Sequence, residues 1–93
     1  MAKIFVVQKE READLKVFSV DKERDADLLF YEVDKDRDAK TDSLWFFVDK
    51  ERDAKVKIFW VLKEREADLK VFKVDKDRNA KWLKSHKWTN RLV

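Results

Sequence analysis

The sequence predicts an α+β repeat protein in which six short β-strands alternate with helical corners of one to two turns, folded as a flattened solenoid or a barrel-like sandwich. Three observations carry that expectation. A charged heptapeptide, DKERDAD at 21–27, recurs in near-copies: KEREAD at 9–14, DKDRDAK at 34–40, DKERDAK at 49–55, KEREAD at 63–68 and DKDRNAK at 75–81. Alanine keeps the phase, with Ala13, Ala26, Ala39, Ala54, Ala67 and Ala80 spaced 13, 13, 15, 13 and 13 residues apart. Between the charged segments lie short runs such as LKVFSV, VKIFWV and LKVFKV, rich in the β-branched and aromatic residues that suit strands. A fixed period of this kind marks stacked structural repeats.

The units run 4–16, 17–29, 30–44, 45–57, 58–70 and 71–83, followed by a basic cap over 84–93, all in one domain. Within each unit an aromatic residue stands eight before the alanine (Phe5, Phe18, Tyr31, Phe46, Phe59, Phe72) and a valine six before it (Val7, Val20, Val33, Val48, Val61, Val74). Each apolar run is long enough for a strand of about five residues. Asp21, Asp34, Asp49 and Asp75 open the charged halves as helix N-caps would, and the residues that follow are good helix formers. A right-handed crossover between parallel strands ordinarily takes a dozen or more residues, whereas only about seven separate the apolar runs. Antiparallel strands in two facing walls are therefore expected. The alanines read as corners too tight for a larger side chain.

Composition narrows the class further. The chain has no Gly and no Pro, so its turns fall on residues confined largely to negative φ. Charged residues make up 46% and apolar residues 44% of the 93, and the apolar share is too high for a disordered coil. With no Cys, disulfide and thiolate chemistry are excluded. The segment MAKIFVVQKERE meets acids after a few apolar residues, which fits neither a signal peptide nor a membrane span, so a cytoplasmic protein with no membrane partner is expected. The net charge of +3 includes a local +4 from Lys81, Lys84, Lys87 and Arg91, which leaves −1 for residues 1–80.

Units such as ADLKVFSVDKERDAD and ADLKVFKVDKDRNAK, closed by KSHKWTNRL, resemble a family of small bacterial proteins built from 13-residue repeats of the form A-D-L-K-V-Y-x-V-x-x-x-x-x-A. The resemblance spans nearly the whole chain and implies no activity, cofactor or catalytic residue. Relatives carry Ser and Tyr in the corners and often Gly near the long third unit; here Lys, Glu and Arg fill the corners, and Thr41, Asp42 and Ser43 stand in the long unit. That charge enrichment resembles a thermophilic or engineered version of the pattern.

Chemistry is sparse. Asp34, Asp36 and Asp38, and again Asp75 and Asp77, copy the opening of an EF-hand loop, but Ala39 and Ala80 stand where that loop needs Gly, and Trp45 and His86 where it needs a bidentate Glu. A transition-metal site would need several Cys or His ligands, and His86 is the sole candidate. No nucleotide-binding glycine motif exists, and every carboxylate has a Lys or Arg close by, which opposes general-acid chemistry. The expectation is a non-enzymatic structural or protein-interaction module with no metal and no cofactor.

Two candidate surfaces remain. Seven before each alanine the residue varies: Val6, Ser19, Glu32, Phe47, Trp60, Lys73. Read as pointing outward, this position places Phe47 and Trp60 on the surface as a homodimer or protein-partner interface. The alternative is a nucleic-acid or other polyanion site formed by Lys81, Trp82, Lys84, Lys87, Trp88 and Arg91, which mix cations with stacking rings. Against it stands the reading that Trp82 and Trp88 cap an open end of the repeat stack.

Overall fold

The structure, a computed structural model, describes residues 2–84, 86–89 and 91–92. Strands β1 (Ala2–Val6), β2 (Leu15–Ser19), β3 (Leu28–Glu32), β4 (Leu44–Phe47), β5 (Val56–Trp60) and β6 (Leu69–Lys73) fall on the six apolar runs, and a short β7 (Lys81–Trp82) follows. The first six form one sheet in the order β4-β1-β5-β2-β6-β3, and β3 also pairs with β4, so the sheet closes. Every pairing in that ring is parallel. The fold is thus a six-stranded parallel β-barrel, and the expected α+β solenoid or antiparallel sandwich is incorrect.

Both errors have a physical source. The charged halves hold three-residue 3₁₀ turns, Glu10–Glu12, Glu23–Asp25, Asp36–Asp38, Glu51–Asp53, Glu64–Glu66 and Asp77–Asn79, and these are the only helical segments among the described residues. Asp21, Asp34, Asp49 and Asp75 do not cap them: the residue before each turn is a Lys, extended at φ near −130°, with no side-chain cap. In five units the alanine is extended again, with ψ between 123° and 152°. A connector that is mostly extended reaches about 3.3 Å per residue, whereas a helical one reaches about 1.5 Å. Eight residues, such as 20–27, can therefore return along the outside of a five-residue strand.

The connectors link alternate slots of the barrel. β1, β2 and β3 take every second place, and β5 and β6 then fill the gaps between them, so the chain winds around one axis twice with its two passes interleaved. A constant step of two slots in a six-slot ring would return the fourth strand to the place β1 already holds. The chain avoids this at one point, where β4 lies directly beside β3. That step coincides with the single 15-residue alanine interval and the KTDS insertion at 40–43.

Register repeats at every seam with a two-residue offset: Ile4 pairs with Val56, Ile58 with Leu15, Val17 with Leu69, Val71 with Leu28, Glu32 with Trp45, and Trp45 with Ala2. So large an offset for so few strands tilts them steeply and makes the barrel shallow and wide, in keeping with extents of 32 × 32 × 21 Å. Equivalent inward positions then form rings. The middle ring is Ile4, Val17, Phe30, Trp45, Ile58 and Val71, all buried. Within it Phe30 stacks on Trp45 at 4.2 Å, a contact worth about 0.5–1.5 kcal/mol beyond area burial.

The outer face carries a second apolar layer. Val20, Ala26, Leu29 and Val74 are buried there with Phe18, Tyr31, Phe72 and Ala80 against them, so the recurrent aromatic, valine and alanine face the connectors and not the barrel axis. Outward lysines tie strands to the turns: Lys16 reaches Glu10 at 2.8 Å, Lys57 reaches Glu51 and Lys70 reaches Glu64 at 3.2 Å, and Lys3 lies 3.7 Å from Asp36. The Glu10 carboxylate, by hydrogen bond and charge, raises the pKa of Lys16. Asp14, Asp27 and Asp68 accept the backbone N–H of Lys57, Lys70 and Lys16 across the seams. The charged heptapeptide is an outer strap.

Candidate functional site

The two mouths of the barrel are chemically different. At the N-terminal ends of the strands the inward ring is Ala2, Leu15, Leu28, Ser43, Val56 and Leu69, each no more than 7% exposed. An end ring can be this dry only if something covers it. The cover is the C-terminal segment: Leu92 is fully buried in the barrel core, and Trp82 and Trp88 pack against that core. β7 holds its start, pairing antiparallel with Leu28 and Leu29 of β3, whose edge β4 leaves free because it pairs only with Tyr31 and Glu32.

Asp42 anchors the plug. Its carboxylate, in a residue only 4% exposed, accepts the Trp82 indole Nε1–H at 2.9 Å and the Leu92 backbone N–H at 3.1 Å. Its backbone oxygen accepts the Trp45 Nε1–H at 2.6 Å. His86 adds a further tie. Its Nδ1 accepts the Trp88 N–H at 3.1 Å, so in the neutral ring Nε2 carries the proton and donates it to the Asp68 carbonyl at 2.8 Å. The imidazole also stacks on Trp82 at 5.7 Å.

At the opposite mouth, where the strands end, the inward ring reads in order around the barrel Val6, Trp60, Ser19, Lys73, Glu32, Phe47. Ser19, Glu32 and Lys73 are exposed, while Val6, Phe47 and Trp60 are half-buried against the core. Lys73 pairs with Glu32 at 3.2 Å. Leu62, two residues beyond Trp60 where four other units have Asp, is 93% exposed. One arc of this rim is apolar and the other is a charge pair.

Phe47 and Trp60 therefore do not stand on the barrel's outer wall, as the varying position suggested. That position shares its face with the Leu, Val and Ile of the core, two and four residues earlier. It varies because it opens to solvent at the mouth. The alternation with Lys16, Lys57 and Lys70, which do point outward, is the signal in the sequence that distinguishes the two faces. Asp42 escaped notice because nothing in its residue type marks it, although the KTDS insertion does.

The residues of the expected polyanion site divide. Trp82 and Trp88 serve the plug, and Lys84 lies 3.9 Å from Asp27. Lys81, Lys87 and Arg91 are exposed. Among the described residues no group of His, Cys, Asp and Glu could hold a metal ion, and no helix is long and apolar enough to cross a membrane.

A shallow parallel barrel laid down by one chain in two interleaved passes defines a small class of wound repeat domains. This chain belongs to the family described as the 7(1) septoil knot domain, whose model matches residues 1–83. A chain that winds twice about one axis is the form of a two-strand torus knot, which agrees with that description. The match takes in the barrel and β7 and stops before Trp88 and Leu92. Neither a curated protein nor a solved structure matches the chain.

Proposed function

We propose that the chain is a non-enzymatic structural and protein-interaction module that binds through the open mouth, with the 13-residue pattern as its repeated unit. The observation that carries this reading is the unequal treatment of the two ends. Trp82, Trp88 and Leu92 close the ring at one end, while at the other Val6, Phe47 and Trp60 stay half-exposed and Leu62 stands in solvent. Exposed apolar groups rimmed by charge mark contact surfaces. The outer charges are engaged in straps between strands and turns, which supports a scaffold role for the wall. The polyanion alternative gains no support, since both of its tryptophans pack against the core.

A displayed peptide library selected on the immobilised protein tests the reading. Enriched peptides should lose binding to a Leu62→Asp/Ser19→Arg variant, whose two changes lie at exposed rim positions. Peptides that bind the variant equally well, or no enrichment at all, would contradict it.

A further inference from the structure

We infer that the occupant of the open mouth is a second copy of this chain, docked mouth to mouth about a two-fold axis. The inference rests on the preceding reading of that mouth as the binding face and adds the partner's identity. An isologous contact must be complementary to itself, because a two-fold axis presents one patch to its own copy. Each ring is then read in reverse against the other. In the observed order Val6, Trp60, Ser19, Lys73, Glu32, Phe47, an axis passing between Lys73 and Glu32 leaves the ring on the far side between Val6 and Trp60. It sets Lys73 against the partner's Glu32, and Glu32 against the partner's Lys73. On the far side it sets Val6 against the partner's Trp60 and Trp60 against the partner's Val6. Of the placements the ring allows, this one alone brings opposite charges face to face; the others set Lys73 or Glu32 on itself, or on Ser19 or an apolar residue.

The remaining pair in this placement sets Ser19 against the partner's Phe47. Leu62, fully in solvent two residues beyond Trp60, widens the apolar arc toward the partner's Val6. Lys73 and Glu32 keep 60% and 45% of their side chains exposed in the single chain, so their own bridge contributes little there. They are free to form a four-charge network across the axis. A mouth on a face 32 Å across has room for the roughly 800 Å² per partner that a standard interface buries.

Charge exchange tests it by sedimentation velocity at about 100 µM chain, a level chosen for an interface of micromolar strength, with the far-ultraviolet spectrum confirming that each variant is folded. The wild type should sediment as a dimer. Glu32→Lys and Lys73→Glu should each be monomeric, because each sets like charges together, and Leu62→Asp should weaken the dimer at least tenfold. Mixing the two single-charge variants should restore a dimer, now a heterodimer, and the double variant carrying both changes should dimerise by itself. A monomeric wild type overturns the second copy as occupant, while peptides that still bind the mouth would leave the interaction reading standing. A dimer indifferent to these substitutions, or single-charge variants that fail to pair when mixed, overturns it as well.

Discussion

The two ends of one strand show how differently the same inward face is used. β6 begins at Leu69, fully buried beneath the plug, and ends at Lys73, exposed at the open mouth, and both side chains point toward the barrel axis. β2 repeats the contrast with Leu15 buried and Ser19 exposed, and β3 with Leu28 and Glu32. Pointing inward does not make a position apolar in a barrel this shallow. What decides it is whether another segment covers the end, and among the described residues Leu92, Trp82 and Trp88 supply that cover.

Exchanging the character of the two ends should give the largest effect. Leu69→Lys buries a charge with no partner in the covered ring and should cost about 4 kcal/mol or more; Lys73→Leu, four residues on, should change stability by no more than about 1 kcal/mol. Urea unfolding of both variants checks this, and equal losses would erase the distinction between the ends. Next in size is Asp42→Ala, which removes the acceptor of Trp82 and Leu92. Two hydrogen bonds to a buried carboxylate make a loss of about 2–4 kcal/mol the expected outcome. Indole fluorescence should show the plug loosening before the barrel unfolds.

The smallest effect belongs to the outer straps. Glu10 raises the pKa of Lys16, so the pair contributes stability below the ordinary lysine pKa and loses it as pH rises through the raised value. The Lys16 side chain is 37% exposed, so solvent screens the pair, and the change with pH is slight and confined to strongly alkaline solution. A Glu10→Gln variant should lose that slight contribution at neutral pH and converge on the unaltered protein in strongly alkaline solution, which flattens the alkaline limb of the stability profile.

The six barrel strands and their length were legible in the sequence because short apolar runs rich in β-branched and aromatic residues report local structure. Strand order was not, since nothing in LKVFSV states whether its neighbour is the next unit or the one that arrives a full turn later. The one clue was the 15-residue interval, whose meaning depends on knowing that six slots are filled in steps of two. Helical corners were expected because Glu, Arg and Lys favour helices, but the connectors must reach back along a strand, and that tertiary demand overrides a propensity of a few tenths of a kcal/mol per residue. At the candidate site the varying residues were visible and their side of the sheet was misread. Trp82 and Trp88 had two readings, an end cap or part of a polyanion site, and both pack against the barrel core; their anchor at Asp42 was marked by the KTDS insertion alone and not by its residue type.

That anchor gives the most direct test of the account that one mouth is plugged and the other open. Leu92 lies in no strand or helix, and its amide is held by the Asp42 carboxylate at 3.1 Å. Amide hydrogen exchange measured by NMR should find Leu92 protected at least about 100-fold over an unstructured peptide, as a buried and bonded amide requires, and Asp42→Ala should abolish that protection while Val17 and Val71 in the barrel keep theirs. Free exchange at Leu92 in the unaltered protein would show that the end ring is uncovered and that the two mouths are alike.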